Sequence, residues 1–223
     1  MSYKDDNGKL DVTKALYQIL NTSRRRTMNF EFNDNEEAAA LLLEFYRREL
    51  RRDELNTEAL RAYCNEVVGY LTGDKRFLLM RGNVGCGKTT MLNAICKMIG
   101  RLYYSNISGT GTELDRRAFQ WDNAYAITEW AKNDRSRYED FKRCEWAAID
   151  DIGQEAAEVS NYGTIIYPVR DILLYRYEND LVTILTTNCT PKTLTEVYGQ
   201  RVGDRLAEVT HVMKFNENSY RRL

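Results

Sequence analysis

The sequence predicts an α/β fold, a parallel sheet sandwiched between helices, on three observations. Runs such as Phe77-Leu78-Leu79-Met80, Trp146-Ala147-Ala148-Ile149 and Leu181-Val182-Thr183-Ile184-Leu185 are largely apolar at consecutive positions rather than alternating, as strands buried on both faces require. They alternate with stretches of helical periodicity. A glycine-rich segment, Gly82 to Thr89, lies between the first of these runs and a helical stretch, where strand-turn-helix geometry can present backbone amides to an anion.

Composition narrows the possibilities further. The chain has 223 residues, 43% hydrophobic and 11% aromatic, enough for one domain with attachments, or two small ones, and a real core, which excludes disorder, collagen and a coiled-coil rod. Lys+Arg 32 against Asp+Glu 33 gives a net charge of -1, so a polyanion partner would have to be met by a local patch. His211 is the single histidine. A multi-histidine metal site is therefore excluded, and a Ser-His-Asp hydrolase would have to use that residue. Five cysteines with no C-x-x-C pair and no signal peptide predict reduced thiols in a cytoplasmic protein. No apolar run approaches the roughly 20 residues of a membrane span. Two prolines, Pro168 and Pro191, suit long helices and leave no Pro-rich linker.

Along the chain, residues 1–29 read as an N-terminal extension: a polar start, a short helix from Asp11 to Leu20 with Leu10, Val12, Leu16 and Leu20 near one side, then the break Thr22 to Thr27. Residues 30–223 read as the main domain. Asn33 is a plausible N-cap for a helix from Glu36 to Arg52, whose stripe is Ala39, Leu42, Leu43, Phe45, Tyr46 and Leu50. A second helix spans Asn56 to Leu71. The alternation that follows predicts a strand at Phe77 to Met80, a helix at Lys88 to Ile99, a strand at Ala124 to Ile127 and a helix at Ser136 to Arg143. Next come a strand at Trp146 to Asp150, a helix from about Thr164 to Tyr177, a strand at Leu181 to Thr187, helices between Pro191 and Glu208, and a closing strand from His211 to Phe215. Residues 101–123 carry the weakest pattern.

Gly82-Asn83-Val84-Gly85-Cys86-Gly87-Lys88-Thr89, followed by Thr90, matches G-x-x-x-x-G-K-[ST], the P-loop. Its glycines let amides converge on phosphate oxygens, Lys88 reaches the β- and γ-phosphates, and Thr89 places its hydroxyl on Mg²⁺. Asp150 and Asp151 end an apolar strand downstream, the first suited to Mg²⁺ through water and the second to polarising an attacking water, although Asp151 is one methylene shorter than glutamate. Asn188, after Thr186-Thr187, can orient that water through its amide, while Asn after a strand is also ordinary turn chemistry. Arg201 and Arg205 lie at i and i+4 on one helical face, able to reach a phosphate held by another protomer. Spacing alone favours a blander pairing of either with Asp204 or Glu208.

In order, Gly82 to Thr89, Ala148 to Gly153, Arg176-Tyr177-Glu178, Thr186-Thr187-Asn188, Tyr198 to Leu206 and Ser219-Tyr220-Arg221 resemble the DnaC-type helicase loaders, with the IstB-type transposition ATPases as close relatives, in the AAA+ initiator group. The likeness covers about residues 30 to 223, and Tyr-Gly-x-Arg-Val-x-Asp-Arg-Leu is its most specific element. The resemblance implies an AAA+ P-loop domain that binds ATP and Mg²⁺ between neighbouring protomers. It makes Lys88, Thr89 and Asp150 nucleotide and metal residues, Asp151 the acid for water, and Asn188 the sensor of the phosphate. It makes Arg205 a finger supplied in trans, Arg201 its assistant, and Arg221 a second sensor. The expected role is a helicase loader that acts on single-stranded DNA as an ATP-dependent oligomer and engages a replicative helicase. An IstB-like helper would serve a transposase instead, and a nucleotide-gated adaptor with negligible hydrolysis would suit the short Asp151. Thr128 to Arg143 lies where this group lines a DNA channel, with Lys132, Arg135, Arg137, Lys142 and Arg143 beside Trp130 and Tyr138; the alternative there is a solvated helix with Trp130 packed inward.

Overall fold

A computed structural model describes residues 30, 32–50, 57–101, 119–161 and 163–215. The apolar runs become the strands of a sheet in which every pairing is parallel. β1 (Phe77–Gly82) is an interior strand. It lies between β6 (Val182–Thr187) and β7 (Thr210–Phe215), while β3 (Trp146–Asp150) and β2 (Phe119–Asn123) extend the sheet beyond β6. Along β1, Leu78 and Met80 enter one core and Phe77 and Leu79 the other. The two faces of the strand thus explain its unbroken hydrophobicity.

One core is closed by α1 (Asn35–Leu50), α2 (Thr57–Leu71) and α3 (Lys88–Ile99). Leu42, Tyr46, Leu71 and Ile95 in it are fully buried, each side chain contributing about 1.5–3 kcal/mol of transfer free energy. The other face carries α4 (Ala124–Asn133), α5 (Arg135–Arg143), α6 (Pro168–Glu178), α7 (Pro191–Tyr198) and α8 (Gln200–Val209). His211 Nε2 lies 3.0 Å from Glu66 Oε1 and ties β7 to α2. Among the described residues no helix is long and apolar enough to cross a membrane.

Three local expectations are corrected. Asp34, not Asn33, caps α1, its Oδ1 accepting the Glu36 amide at 2.7 Å and the Glu37 amide at 3.4 Å. Ala124 to Ile127 opens a helix rather than forming a strand. The strand is the preceding β2, paired from Phe119↔Trp146 to Asn123↔Asp150, and Asn123 then caps α4 by accepting the Ala126 amide at 2.8 Å. Ala124, Ile127, Thr128 and Ala131 are its buried residues, at helical spacing. Thr164 does not begin a helix either. β4 (Val159–Asn161) and β5 (Thr164–Ile166) pair as a short antiparallel ribbon, and Pro168, which restricts the residue before it to extended backbone, starts α6 at its first turn. The helix expected over Asp11 to Leu20 lies outside the described residues, as do Arg51 and Arg52.

Candidate nucleotide site

The P-loop follows β1 and runs into α3. A side chain at Gly82 would bring a Cβ to 2.6 Å from the Phe215 carbonyl oxygen, because the ends of β1 and β7 lie side by side. Gly87 caps α3 at φ 97, a left-handed conformation that glycine adopts without strain. The first-turn amides of α3 therefore face the loop, where an anion would satisfy them. Lys88 is buried, and its Nζ donates to Asn188 Oδ1 at 2.6 Å, Asn83 O at 2.9 Å and Gly82 O at 3.0 Å.

Opposite, Thr89 Oγ1 donates to Asp150 Oδ2 at 2.9 Å. Asp150 also takes a hydrogen bond from Thr186 Oγ1, and the same hydroxyl accepts the Asp151 amide at 2.8 Å. Asp151 adopts φ 55. Asp151 and Asn188 line one cleft with Val84, Gly85, Gly87, Lys88, Thr89 and Thr90. Residues from four separate segments thus meet around the loop. Thr89 and Asp150 supply hard oxygen donors, a set that suits Mg²⁺, which takes its other ligands from water and phosphate.

Two contributions escaped the sequence reading. Thr186 positions both aspartates; the signal for it was a pair of threonines ending a largely apolar, wholly buried strand. From α1, Glu49 and Leu50 complete the cleft, and the Tyr46 hydroxyl donates to Gly87 O at 3.4 Å.

Comparison with solved structures is decisive for the fold. The chain superposes on the DnaC helicase loader with a TM-score of 0.53 at 19% identity, covering 77% of this chain and 98% of that one. The AMPPCP-bound DnaA from Aquifex aeolicus gives a TM-score of 0.52 at 16% identity, covering 78% of this chain and 52% of that chain. A DNA replication initiation factor gives 0.51 at 16%, covering 73% and 48% respectively. This chain thus spans about half the length of those last two. The fold is that of AAA+ P-loop proteins. No protein-family model matches the chain, and no curated protein matches it in sequence. The resemblance read from the motifs therefore stands at the level of the fold.

Within this AAA+ fold, Arg201 and Arg205 do not join the P-loop cleft of their own chain. Arg201 Nη2 bonds Glu178 Oε1 at 2.8 Å, and the Arg205 guanidinium stacks 4.4 Å over the Tyr177 ring. Contact with Tyr177 pushes the Arg205 pKa up from its ordinary value. Asp204 accepts from Gln200 at 2.7 Å, and Glu208, whose charge also acts on Arg205, accepts from the Tyr177 hydroxyl at 2.6 Å. Tyr177 and Glu178 close α6 just before β6 begins, whereas the P-loop lies beyond the carboxyl end of β1. Arg221 lies outside the described residues. Gly82 and Phe215 are register partners at the ends of β1 and β7.

The cations of α4 and α5 are engaged within the molecule. Arg135 and Arg143 pair with Glu139 at 2.5 and 3.1 Å, and Lys132 with Glu129. Arg137 lies 3.9 Å over Trp130, and Lys142 lies 4.8 Å over Tyr175. Tyr138 is buried, its hydroxyl donating to Pro168 O at 2.8 Å. Burial pushes its pKa up. Trp130 packs edge-on to Phe141 at 5.7 Å, so the inward alternative describes this aromatic pair.

Proposed function

We propose that the chain is a cytoplasmic ATPase that binds ATP with Mg²⁺ in this cleft, hydrolyses it between neighbouring copies, and loads a replicative helicase on single-stranded DNA. The observation that carries the reading is the convergence of Lys88, Thr89, Asp150, Asp151 and Asn188 on one cleft. The loop amides and Lys88 bind the phosphates, and Thr89 with Asp150 would hold Mg²⁺, which when bound offsets phosphate charge. Asp151 takes the proton of the attacking water, and the Asn188 amide orients that water. Arg205, assisted by Arg201, reaches the phosphate of the adjoining copy, and Arg221 is the second sensor. The likeness to a DnaC helicase loader supports the replication role. For DNA, α5 carries four cations against two acids, which would exchange their partners within the molecule for phosphates, and weak contacts add over an assembly. The five cysteines are free and buried, in keeping with a reducing compartment.

Mixing two inactive variants tests the central claim. Lys88→Ala and Arg205→Ala should each hydrolyse ATP at background. An equal mixture should recover up to roughly a quarter of the native rate, the share of interfaces pairing an intact cleft with an intact arginine. Absence of recovery at every ratio overturns action in trans.

Thr186→Val gives a separate check. Valine keeps the shape of the side chain but neither donates to Asp150 nor accepts from Asp151. The Mg²⁺ concentration for half-maximal hydrolysis should rise about tenfold, the usual scale for groups that orient metal ligands. A magnesium titration reads this directly.

A further inference from the structure

The backbone after Asp151 is tied to its surroundings one residue at a time. Ile152 N donates to Thr186 O at 2.9 Å, and Thr187 Oγ1 donates to Ile152 O at 2.7 Å. Gly153 N then donates to the Tyr198 hydroxyl oxygen at 2.7 Å and to Glu155 Oε2 at 2.9 Å. The Tyr198 hydroxyl in turn donates to Glu155 Oε1 at 2.5 Å. Gly153 has φ +85, and a Cβ there would stand 3.0 Å from both Cys189 Sγ and Leu194 Cδ2. The turn therefore packs backbone-first on the start of α7. A larger residue would be strained at this φ and would push Cys189 and Leu194 back by a few tenths of an ångström.

Tyr198 is the last residue of α7 and is buried. Gly199, at φ 89, follows it and opens α8, the helix that bears Arg201 and Arg205. Gly203 of α8 in turn packs on Thr195 of α7, which keeps the two helices in one block. Burial, together with Glu155, pushes the Tyr198 pKa up, so the hydroxyl keeps its proton and both of its hydrogen-bonding roles. Among the described residues Glu155 makes no ion pair. A half-buried carboxylate whose partners are a tyrosine and a backbone amide is a costly choice for packing alone, and it fixes direction as well as distance.

We propose that Tyr198 and Glu155 are positioning residues that latch the turn following Asp151 to the α7–α8 corner, so that events in the nucleotide cleft are transmitted to the surface carrying Arg201 and Arg205. The chain of contacts runs from Asp151 through Thr186, Ile152 and Gly153 to Tyr198 and Gly199. A displacement of the turn must move α8 or break hydrogen bonds to a charged group, which are the stronger kind. The present partners of the two arginines, Glu178 and Tyr177 on α6, are those that such a movement would release. This inference rests on the reading of the cleft as an ATP site and adds how its state reaches the next copy.

Hydrogen exchange of the α8 amides, with and without ATP and Mg²⁺, tests the latch on the full chain. In the native protein ATP should change exchange over Gln200 to Val209 about threefold or more. Tyr198→Phe should bind ATP with native affinity yet lose that response, and its kcat should fall about tenfold with KM unchanged. Glu155→Gln, which retains an acceptor for the hydroxyl, should keep a large part of both. A native-like response in Tyr198→Phe overturns the latch while leaving the ATPase reading intact. So does a native protein that binds ATP without any response in α8, or a Tyr198→Phe variant that loses affinity and response together. Failure of the native chain to bind ATP removes both readings, and is recognised because it needs no variant.

Discussion

Lys88→Ala is expected to weaken ATP binding about a hundredfold, a loss of roughly 3 kcal/mol, as measured by calorimetric titration in the presence of Mg²⁺. The ammonium group is the one cation held inside the loop by three oxygens, from Gly82, Asn83 and Asn188. Those acceptors aim it at the space bounded by the α3 amides, where a triphosphate brings several negative charges. Charge-assisted hydrogen bonds of this kind are about twice as strong as neutral ones. The oxygens left behind border an open cleft and can turn to water, so the melting temperature should fall by no more than about 3 °C. Lys88→Arg should restore little, because a planar fork cannot reproduce three acceptors converging on a single point. Undiminished affinity in Lys88→Ala would remove this residue from phosphate recognition.

Arg176→Leu is expected to have the largest effect on stability. Arg176 is fully buried. Among the described residues no carboxylate pairs with it; its guanidinium donates to the carbonyl oxygens of Lys142, Cys144, Glu145 and Val182 and to the hydroxyl of Thr183, with Cys144 Sγ alongside. Burial lowers its pKa from the ordinary value, yet five acceptors compensate the charge. They also join the end of α5, the entry to β3 and the entry to β6. Leucine fills much of the volume but leaves these buried acceptors without a donor, and a lost buried charge network costs about 3–5 kcal/mol. The melting temperature should drop by roughly 10 °C, read by thermal denaturation, with ATP affinity at low temperature retained. A drop within the few degrees typical of surface changes would mean that water replaces the guanidinium.

The convergence of the candidate site residues on one cleft was legible in the sequence because they sit at the ends of elements that announce themselves. Lys88 and Thr89 follow an apolar strand and glycines, and Asp150 and Asn188 each end another apolar strand. Backbone direction then brings strand ends together in a parallel sheet. Elements too short to show a period were not legible. Ala124 to Ile127 is a four-residue apolar run that strand and helix both accommodate; the Asn123 cap decided it. β4 and β5 have three residues each, and only their mutual pairing distinguishes them from a helical start. Through-space partners lay beyond reach altogether. Nothing in the spacing of Arg201 and Arg205 points to Glu178 or Tyr177, and nothing near Gly87 points back to Tyr46.

The position of β1 between β6 and β7 also sets a timetable for synthesis. The strand that launches the P-loop is translated about a hundred residues before its neighbour Val182 and still longer before Thr210. At roughly 10 residues per second, its apolar edges wait about 10 s for the first partner. Pairings so distant in sequence also close slowly. During that interval Phe77 to Met80 is a sticky, single strand, most exposed to misassociation with other nascent chains. The glycine loop, so conspicuous in the sequence, gains the neighbour that flanks its first glycine only when Phe215 settles beside Gly82.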